Sequence, residues 1–269
     1  MGEGIENEDS NQPKQLIMGA FIPPAEIQEI QKLQGKPFTT ISEKDLEEIK
    51  TNVKKNVSSD NPKISIVVIA YNEESQILAC VASLAKTSSS LPVELIVINN
   101  NSKDSTQEIL DKIEVKNILE TKQGYGYARQ CGLDYARGDY ILTCDADTLY
   151  QPGWAENMIK PLETTPSIIE TYSFGAYYSE DFRYSLGLRL YQYIKYSNFL
   201  LLHRKRPHLN VRGFSMGFRK SDVVKAGGYA NKQERGEDGM LSFELSQVGK
   251  IHVVKKKEAV VYTSSRGVL

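Results

Sequence analysis

Apolar residues recur along this chain in two rhythms, and one gives way to the other at Lys63. Upstream the spacing is helical. Pro24 precedes Ile27, Ile30 and Leu33, with Gly35 as the stop, which predicts one short helix. Ser42 and Asp45 have the spacing of a capping box ahead of Leu46, Ile49, Val53 and Val57, which predicts a second. The run Ser58 to Pro62 breaks the chain, and residues 1–14 are polar enough to predict disorder. Residues 1–62 therefore read as an N-terminal extension, partly disordered, whose two helices dock their apolar stripes on the main body. Nothing in them suggests chemistry.

From Lys63 the rhythm becomes strand and helix in turn. Ile64 to Ala70 is β-branched and almost continuous, as a strand buried on both faces should be. A polar loop, Tyr71 to Glu74, leads to a helical stripe of Ile77, Cys80, Val81 and Leu84. A second buried strand, Val93 to Ile98, runs into Asn99-Asn100-Asn101-Ser102. After it, Ile109, Leu110 and Ile113 mark a helix capped by Asp104 or Ser105. A weak strand at Val115 to Leu119 precedes Gly124-Tyr125-Gly126, a helix to Ala136 and a stop at Gly138. The third strong strand, Tyr140 to Cys144, ends in Asp145-Ala146-Asp147. Connections of this length between strands imply parallel pairing and right-handed crossovers, a doubly wound α/β sheet. Ligands of such sheets bind beyond the carboxyl ends of the strands. Tyr71 to Glu73, Asn99 to Asn101 and Asp145 to Asp147 all fall there.

Composition narrows the class without deciding it. The 269 residues are 40% hydrophobic and 25% charged, which is ordinary for a globular protein, and a formal net charge of −1 gives no global argument for nucleic acid. Cys80, Cys131 and Cys144 lack metal spacing and sit in apolar segments, so they read as reduced packing residues in a reducing compartment. The acidic N-terminus has no signal-peptide pattern, and no apolar run approaches the roughly 20 residues of a membrane span. The expectation is a cytoplasmic protein. His203, His208 and His252 have no zinc-ligand spacing. Gly124-x-Gly126 lacks the third glycine of a dinucleotide fingerprint and reads as the start of a helix.

Two carboxylates one residue apart repel each other unless a cation or hydrogen-bond donors answer them. Taken alone, Asp145-Ala146-Asp147 reads more simply as a solvated loop. With two further polar clusters at neighbouring strand ends, it reads as a hard-cation site, since Mg²⁺ or Mn²⁺ commonly joins one or two carboxylates to substrate phosphates.

The ordered motifs resemble those of a family 2 glycosyltransferase with the GT-A fold. They are ISIVVIAYNEES at 64–75, ELIVINNNSKDSTQ at 94–107, GYARQCGLDYARGDYILTCDADT at 126–148, GFSMGFRKSDVVKAGGYA at 213–230, Gly236-Glu237-Asp238, and VVYTSSR at 260–266. The resemblance implies a GT-A domain over 63–269, with a nucleotide-sugar half at 63–150 and an acceptor half at 151–269. It places Tyr71 on the nucleotide base with Glu73 and Ile98 beside it, and puts Asn100, Arg129, Asp145 and Ala146 on the nucleotide. Asp147, with Asp145, would hold Mn²⁺ or Mg²⁺. Glu237 would lie on the acceptor side and Asp238 would be the catalytic base. The implied activity is an inverting, metal-dependent transfer of a hexosyl or N-acetylhexosaminyl group from a nucleotide diphosphate sugar, UDP for preference, to an acceptor hydroxyl. The acceptor would be a glycan or lipid-linked glycan in cell-surface polysaccharide synthesis. A same-fold nucleotidyltransferase and a non-catalytic nucleotide-sugar binding module are the alternatives.

Two departures matter. Many relatives have aspartate where this chain has Asn99 and Asn100, and a metal-binding histidine where it has Tyr262. Metal coordination would then rest on fewer protein ligands, or Arg266 would take part of the phosphate charge. Residues 183–206 carry Arg183, Arg189, Lys195, Arg204, Lys205 and Arg206 among tyrosines and leucines, with no acidic residue between. Either Leu190, Ile194 and Leu201 pack against the sheet, or the segment lies peripherally on anionic lipid at the inner membrane face.

Overall fold

A computed structural model describes residues 22–178, 186–229 and 236–264. The expectations for residues 1–14, Arg183, Tyr184 and Arg266 lie outside these, as do those for the side chains of Leu186, Arg189, Leu200 and Arg204.

The buried runs become the middle of a seven-stranded sheet. Strands β1 (Ile64–Ala70), β2 (Val93–Asn99), β3 (Asn117–Leu119) and β4 (Tyr140–Asp145) pair in parallel in the order β3-β2-β1-β4. Every residue of β1 and β2 is buried, as their lack of alternation requires. Helices α3 (Ile77–Leu84), α4 (Thr106–Lys112) and α5 (Tyr125–Tyr135) make the crossovers. Beyond β4 the sheet becomes mixed. β8 (Met216–Arg219) runs antiparallel to both β4 and β6 (Ile168–Ser173), and β9 (Lys250–Val254) pairs in parallel with β6. A small second sheet joins β5 (Thr148–Leu149), β10 (Val261–Ser264) and β7 (Gly175–Tyr178) beside the end of β4.

The two N-terminal helices form as expected. In α1 (Ala25–Gln31) and α2 (Glu43–Asn56), Ile27, Ile30, Leu46, Ile49 and Val53 join the same core as the sheet. Ser42 Oγ accepts the Asp45 N–H at 3.1 Å, closing the cap. The remaining helices are α6 (Trp154–Thr164), α7 (Leu186–Lys205), α8 (Lys220–Lys225) and α9 (Glu237–Ser246).

One close approach positions the site. An added Cβ at Gly132 would stand 2.2 Å from Val67 Cγ1, so α5 lies on β1 at a distance only glycine permits. That closeness brings Arg129, one turn earlier, over the end of β4.

Candidate active site

The loops at the strand ends are stitched together before any ligand is considered. Asp104 caps α4 by accepting the Thr106 N–H at 3.0 Å and also accepts the Glu74 N–H at 3.0 Å. Of the two cap candidates, Asp104 therefore provides the bond, and Ser105 makes no side-chain cap bond. The Glu73 N–H donates to Thr106 Oγ1 at 2.9 Å, and Ser105 N–H returns a bond to Glu74. Tyr71, held at the head of this loop, is 48% exposed, an aromatic face open to a ligand.

Asn99 and Asn100 have structural work. Asn99 Oδ1 accepts the Ser102 N–H, while its amide donates to Gln107. The Asn100 amide donates to the Glu120 and Lys122 carbonyls, and its oxygen accepts the Gly124 N–H at 2.9 Å. Asn100 thus braces the loop that leads into α5. Ile98 is likewise fully buried against α5, and Ala146 is buried, so each can meet a nucleotide only through its backbone.

Arg129 is the centre of the site. It is 2% exposed, with Nη1 donating to the Cys144 carbonyl at 3.2 Å and Nη2 to Asp145 Oδ1 at 2.7 Å. Its Nε lies 3.3 Å from Asp238 Oδ1 and 3.9 Å from Glu237 Oε1. Asp238 Oδ2 accepts the Gly213 N–H at 2.7 Å. Asp145, Cys144 and the α9 carboxylates surround the Arg129 guanidinium. One guanidinium faces three carboxylates from the two halves of the chain.

This crowding bears on the protonation of Asp145 and Glu237. Burial pushes Asp145 up to about 6; Asp147 and Asp238 add to the rise and Arg129 opposes it. Glu237 is pushed up to about 7 by burial and by Asp238 beside it, against Arg129. Asp238 lies on the first turn of α9, behind Gly236 in the left-handed conformation at φ 87°.

Asp147 is half-buried at the start of the small sheet. Its carbonyl accepts from Ser264 N–H and Tyr178 Oη, both at 3.3 Å. Tyr262 is fully buried in β10, and its hydroxyl donates to the Ile22 carbonyl at 3.5 Å. Among the described residues no group of three or more His, Cys, Asp and Glu could hold a metal. Two mutually repelling carboxylates fit a hard cation that takes its remaining oxygens from a diphosphate and water.

Two residues escaped the sequence reading. Tyr150 Oη accepts the Asp145 N–H at 3.1 Å and donates to the Phe214 carbonyl at 2.8 Å, tying the aspartate loop to the 213–215 turn. Gly213 sits where an added Cβ would lie 1.8 Å from Arg129 Nη2 and 2.4 Å from Asp238 Oδ2. Gly213 was visible within a motif, but nothing in the motif named what it touches.

Comparison with known proteins agrees with this architecture. The model of the family "Glycosyl transferase family 2" matches residues 65–228. The chain is 32% identical over 121 residues to the UDP-Glc:alpha-D-GlcNAc-diphosphoundecaprenol beta-1,3-glucosyltransferase WfaP of Escherichia coli, covering 44% of this chain and 47% of that protein. It spans between 30% and 50% of the length of three curated relatives. Among solved structures, the mannosyltransferase PcManGT from Pyrobaculum calidifontis in complex with GDP-Man and Mn²⁺ superposes with a TM-score of 0.58 at 15% identity, covering 92% of this chain and 67% of that one. Glucosyl-3-phosphoglycerate synthase from Mycobacterium tuberculosis, in complex with Mn²⁺, UDP-Glc and phosphoglyceric acid, gives 0.50 at 20% identity, covering 87% and 78%. The fold is that of the GT-A glycosyltransferases.

Proposed function

The chain belongs to glycosyl transferase family 2, and from that we propose that it is an inverting transferase moving a sugar from a UDP-sugar to an acceptor hydroxyl in cell-surface polysaccharide synthesis. The observation that carries this reading is the Arg129 cluster. It brings a carboxylate from the donor strand end, Asp145, within one side chain of a carboxylate on the α9 start, Asp238.

In this reading Tyr71 stacks on the base. Asp147, with the outer oxygen of Asp145, holds a divalent cation, which when bound supplies positive charge to the departing diphosphate. Asp238 takes the proton of the attacking hydroxyl. Its Oδ1 is buried against Arg129, so the proton goes to Oδ2, the oxygen already oriented by the Gly213 N–H. Glu237 sits beside it on the first turn of α9, 3.9 Å from the Arg129 guanidinium, on the acceptor side.

Helix α7 supports a peripheral location. The packing alternative for its apolar residues is overturned, because Leu190, Ile194 and Leu201 are 60%, 52% and 63% exposed while Gln192 and Phe199 face inward. Among the described residues no helix is long and apolar enough to cross a membrane. An outward apolar stripe ending at Lys205 and Arg206 suits contact with anionic lipid, and with it a lipid-linked acceptor.

The decisive test is Asp238→Asn. With UDP-glucose, UDP-N-acetylglucosamine and GDP-mannose supplied in Mn²⁺, the wild type should release nucleoside diphosphate from one of them. The variant should turn over roughly 10²–10⁴-fold more slowly with unchanged donor affinity. If donor binding collapses instead, Asp238 belongs to the nucleotide site.

A further inference from the structure

A pocket of about 170 Å³ lies between the inner face of α7, the β6–β7 connection and residues 209–214. Its walls include Phe174 and Phe199, and two cations, Lys195 and Arg212, line it. Lys195 is half-buried, with its ammonium 3.6 Å from the centroid of Tyr177 and hydrogen-bonded to that hydroxyl. Arg212 donates from Nη1 to the Leu209 and Val211 carbonyls. Among the described residues neither pairs with a carboxylate, although the chain as a whole carries 34 acidic residues against 33 lysines and arginines.

Lys195 feels Arg212. Burial pushes Lys195 down to about 8, and Arg212 adds to the fall. A half-buried ammonium and an exposed guanidinium lining one apolar pocket form an arrangement that an anion stabilises, and the anion with oxygens enough for both is a phosphate. The pocket also adjoins the reaction centre. Gly213, next to Arg212, donates to the Asp238 carboxylate, and Tyr177 lies within electrostatic reach of both Arg212 and Asp147. An acceptor anchored here would present its hydroxyl toward Asp238.

We propose that Lys195 and Arg212 bind the phosphate of a phosphorylated acceptor, with its organic group against Phe174 and Phe199. The word acceptor rests on the transferase reading above; the phosphate site does not. The phosphate could belong to a prenyl phosphate or to a soluble sugar phosphate, and the test separates these.

The full chain is titrated calorimetrically in EDTA, which disables a metal-held diphosphate site, with geranyl phosphate and with glucose 1-phosphate. At least one should bind the wild type, with affinity falling as salt rises. Lys195→Gln and Arg212→Gln should each weaken it about tenfold or more, as loss of a charge-assisted bond to a desolvated anion does. UDP binding in Mn²⁺, measured on the same variants, should not change, which also shows that they are folded. Tighter binding of geranyl phosphate supports the site and assigns it to a lipid-linked acceptor. Tighter binding of glucose 1-phosphate supports the site and assigns it to a soluble one. Binding of neither ester to the wild type, or binding indifferent to both substitutions, overturns the proposal. Failure of the wild type to bind UDP in Mn²⁺ would count against the transferase reading alone.

Discussion

Replacing Gly213 by alanine adds one methyl group between the two charges on which the site depends. The new Cβ would stand 1.8 Å from Arg129 Nη2, 2.6 Å from Arg129 Cζ and 2.4 Å from Asp238 Oδ2. Comfortable carbon–heteroatom contact is about 3.5 Å, so the guanidinium would have to retreat by about 1.5 Å. It has nowhere to go, being 2% exposed and bound to Asp145 and the Cys144 carbonyl. If Arg129 is expelled, a buried ion pair is broken from one side, at roughly 3–5 kcal/mol. If the 212–214 segment lifts instead, the Gly213–Asp238 and Tyr150–Phe214 bonds are lost, each leaving a buried partner at about 1–3 kcal/mol. The two routes converge on a loss of about 3 kcal/mol, or roughly 6–12 °C in melting temperature for a chain of this size. A base displaced by about 1 Å should also lower turnover on the order of 100-fold. Thermal melts and donor turnover check both effects. A Gly213→Ala protein melting within about a degree of wild type, with turnover within a few-fold, would refute the claim that the cluster is tightly packed.

Three other outcomes follow from the same geometry. Asp147→Asn should weaken UDP binding in Mn²⁺ at least tenfold without lowering the melting temperature, and the two proteins should bind UDP alike in EDTA; equal affinity in Mn²⁺ would remove the metal role. Glu170 is fully buried, and burial pushes it up to about 8, with Ser242 opposing and Asp238 adding. Between its ordinary value near 4.5 and about 8 the folded state keeps a proton that the unfolded chain has lost, so stability falls as pH rises through that window. Glu170→Gln should therefore melt with wild type at pH 5 and above it at pH 8, by on the order of a few kcal/mol; parallel curves would contradict this. The wild type should sediment with anionic vesicles at low salt and release at high salt, and replacing Arg204, Lys205 and Arg206 by glutamine should abolish it. No binding at low salt ends the membrane reading.

The parts of the fold that were legible in the sequence are those whose pattern is local. β1 and β2 announce themselves because strands buried on both faces are nearly continuous aliphatic runs, the buried Ser65 and Glu94 being hydrogen-bonded to each other. The Ser42 cap is read from residues three apart. The small sheet was not legible, since β5 has two residues, too few for any period, and β10, which pairs with both β5 and β7, comes from a distant part of the chain. Helix α7 misled one reading because apolar residues occupy both its faces. Phe199 and Tyr196 form the inner contacts, through ring packing on Phe174, and this leaves Leu190, Ile194 and Leu201 outside. A helix apolar on all sides does not say which side is in.

The site divides along the same line. Carboxylates at strand ends and at a helix start could be found by type and position, because the chemistry they suit is written in the residue itself. Which polar group each would face could not, and the same is true of the partners of Asn100 and Arg129. Asn100 holds a loop, and Arg129 holds carboxylates from both halves of the chain. A single cation shared by Asp145, Glu237 and Asp238 makes their energies inseparable. Removing Asp145 would strengthen the hold of Arg129 on Asp238 and so alter the base, while removing Asp238 would tighten Arg129 on the donor-side aspartate. Substitutions at the two aspartates should therefore be non-additive, with coupling through a residue that itself need touch neither donor nor acceptor.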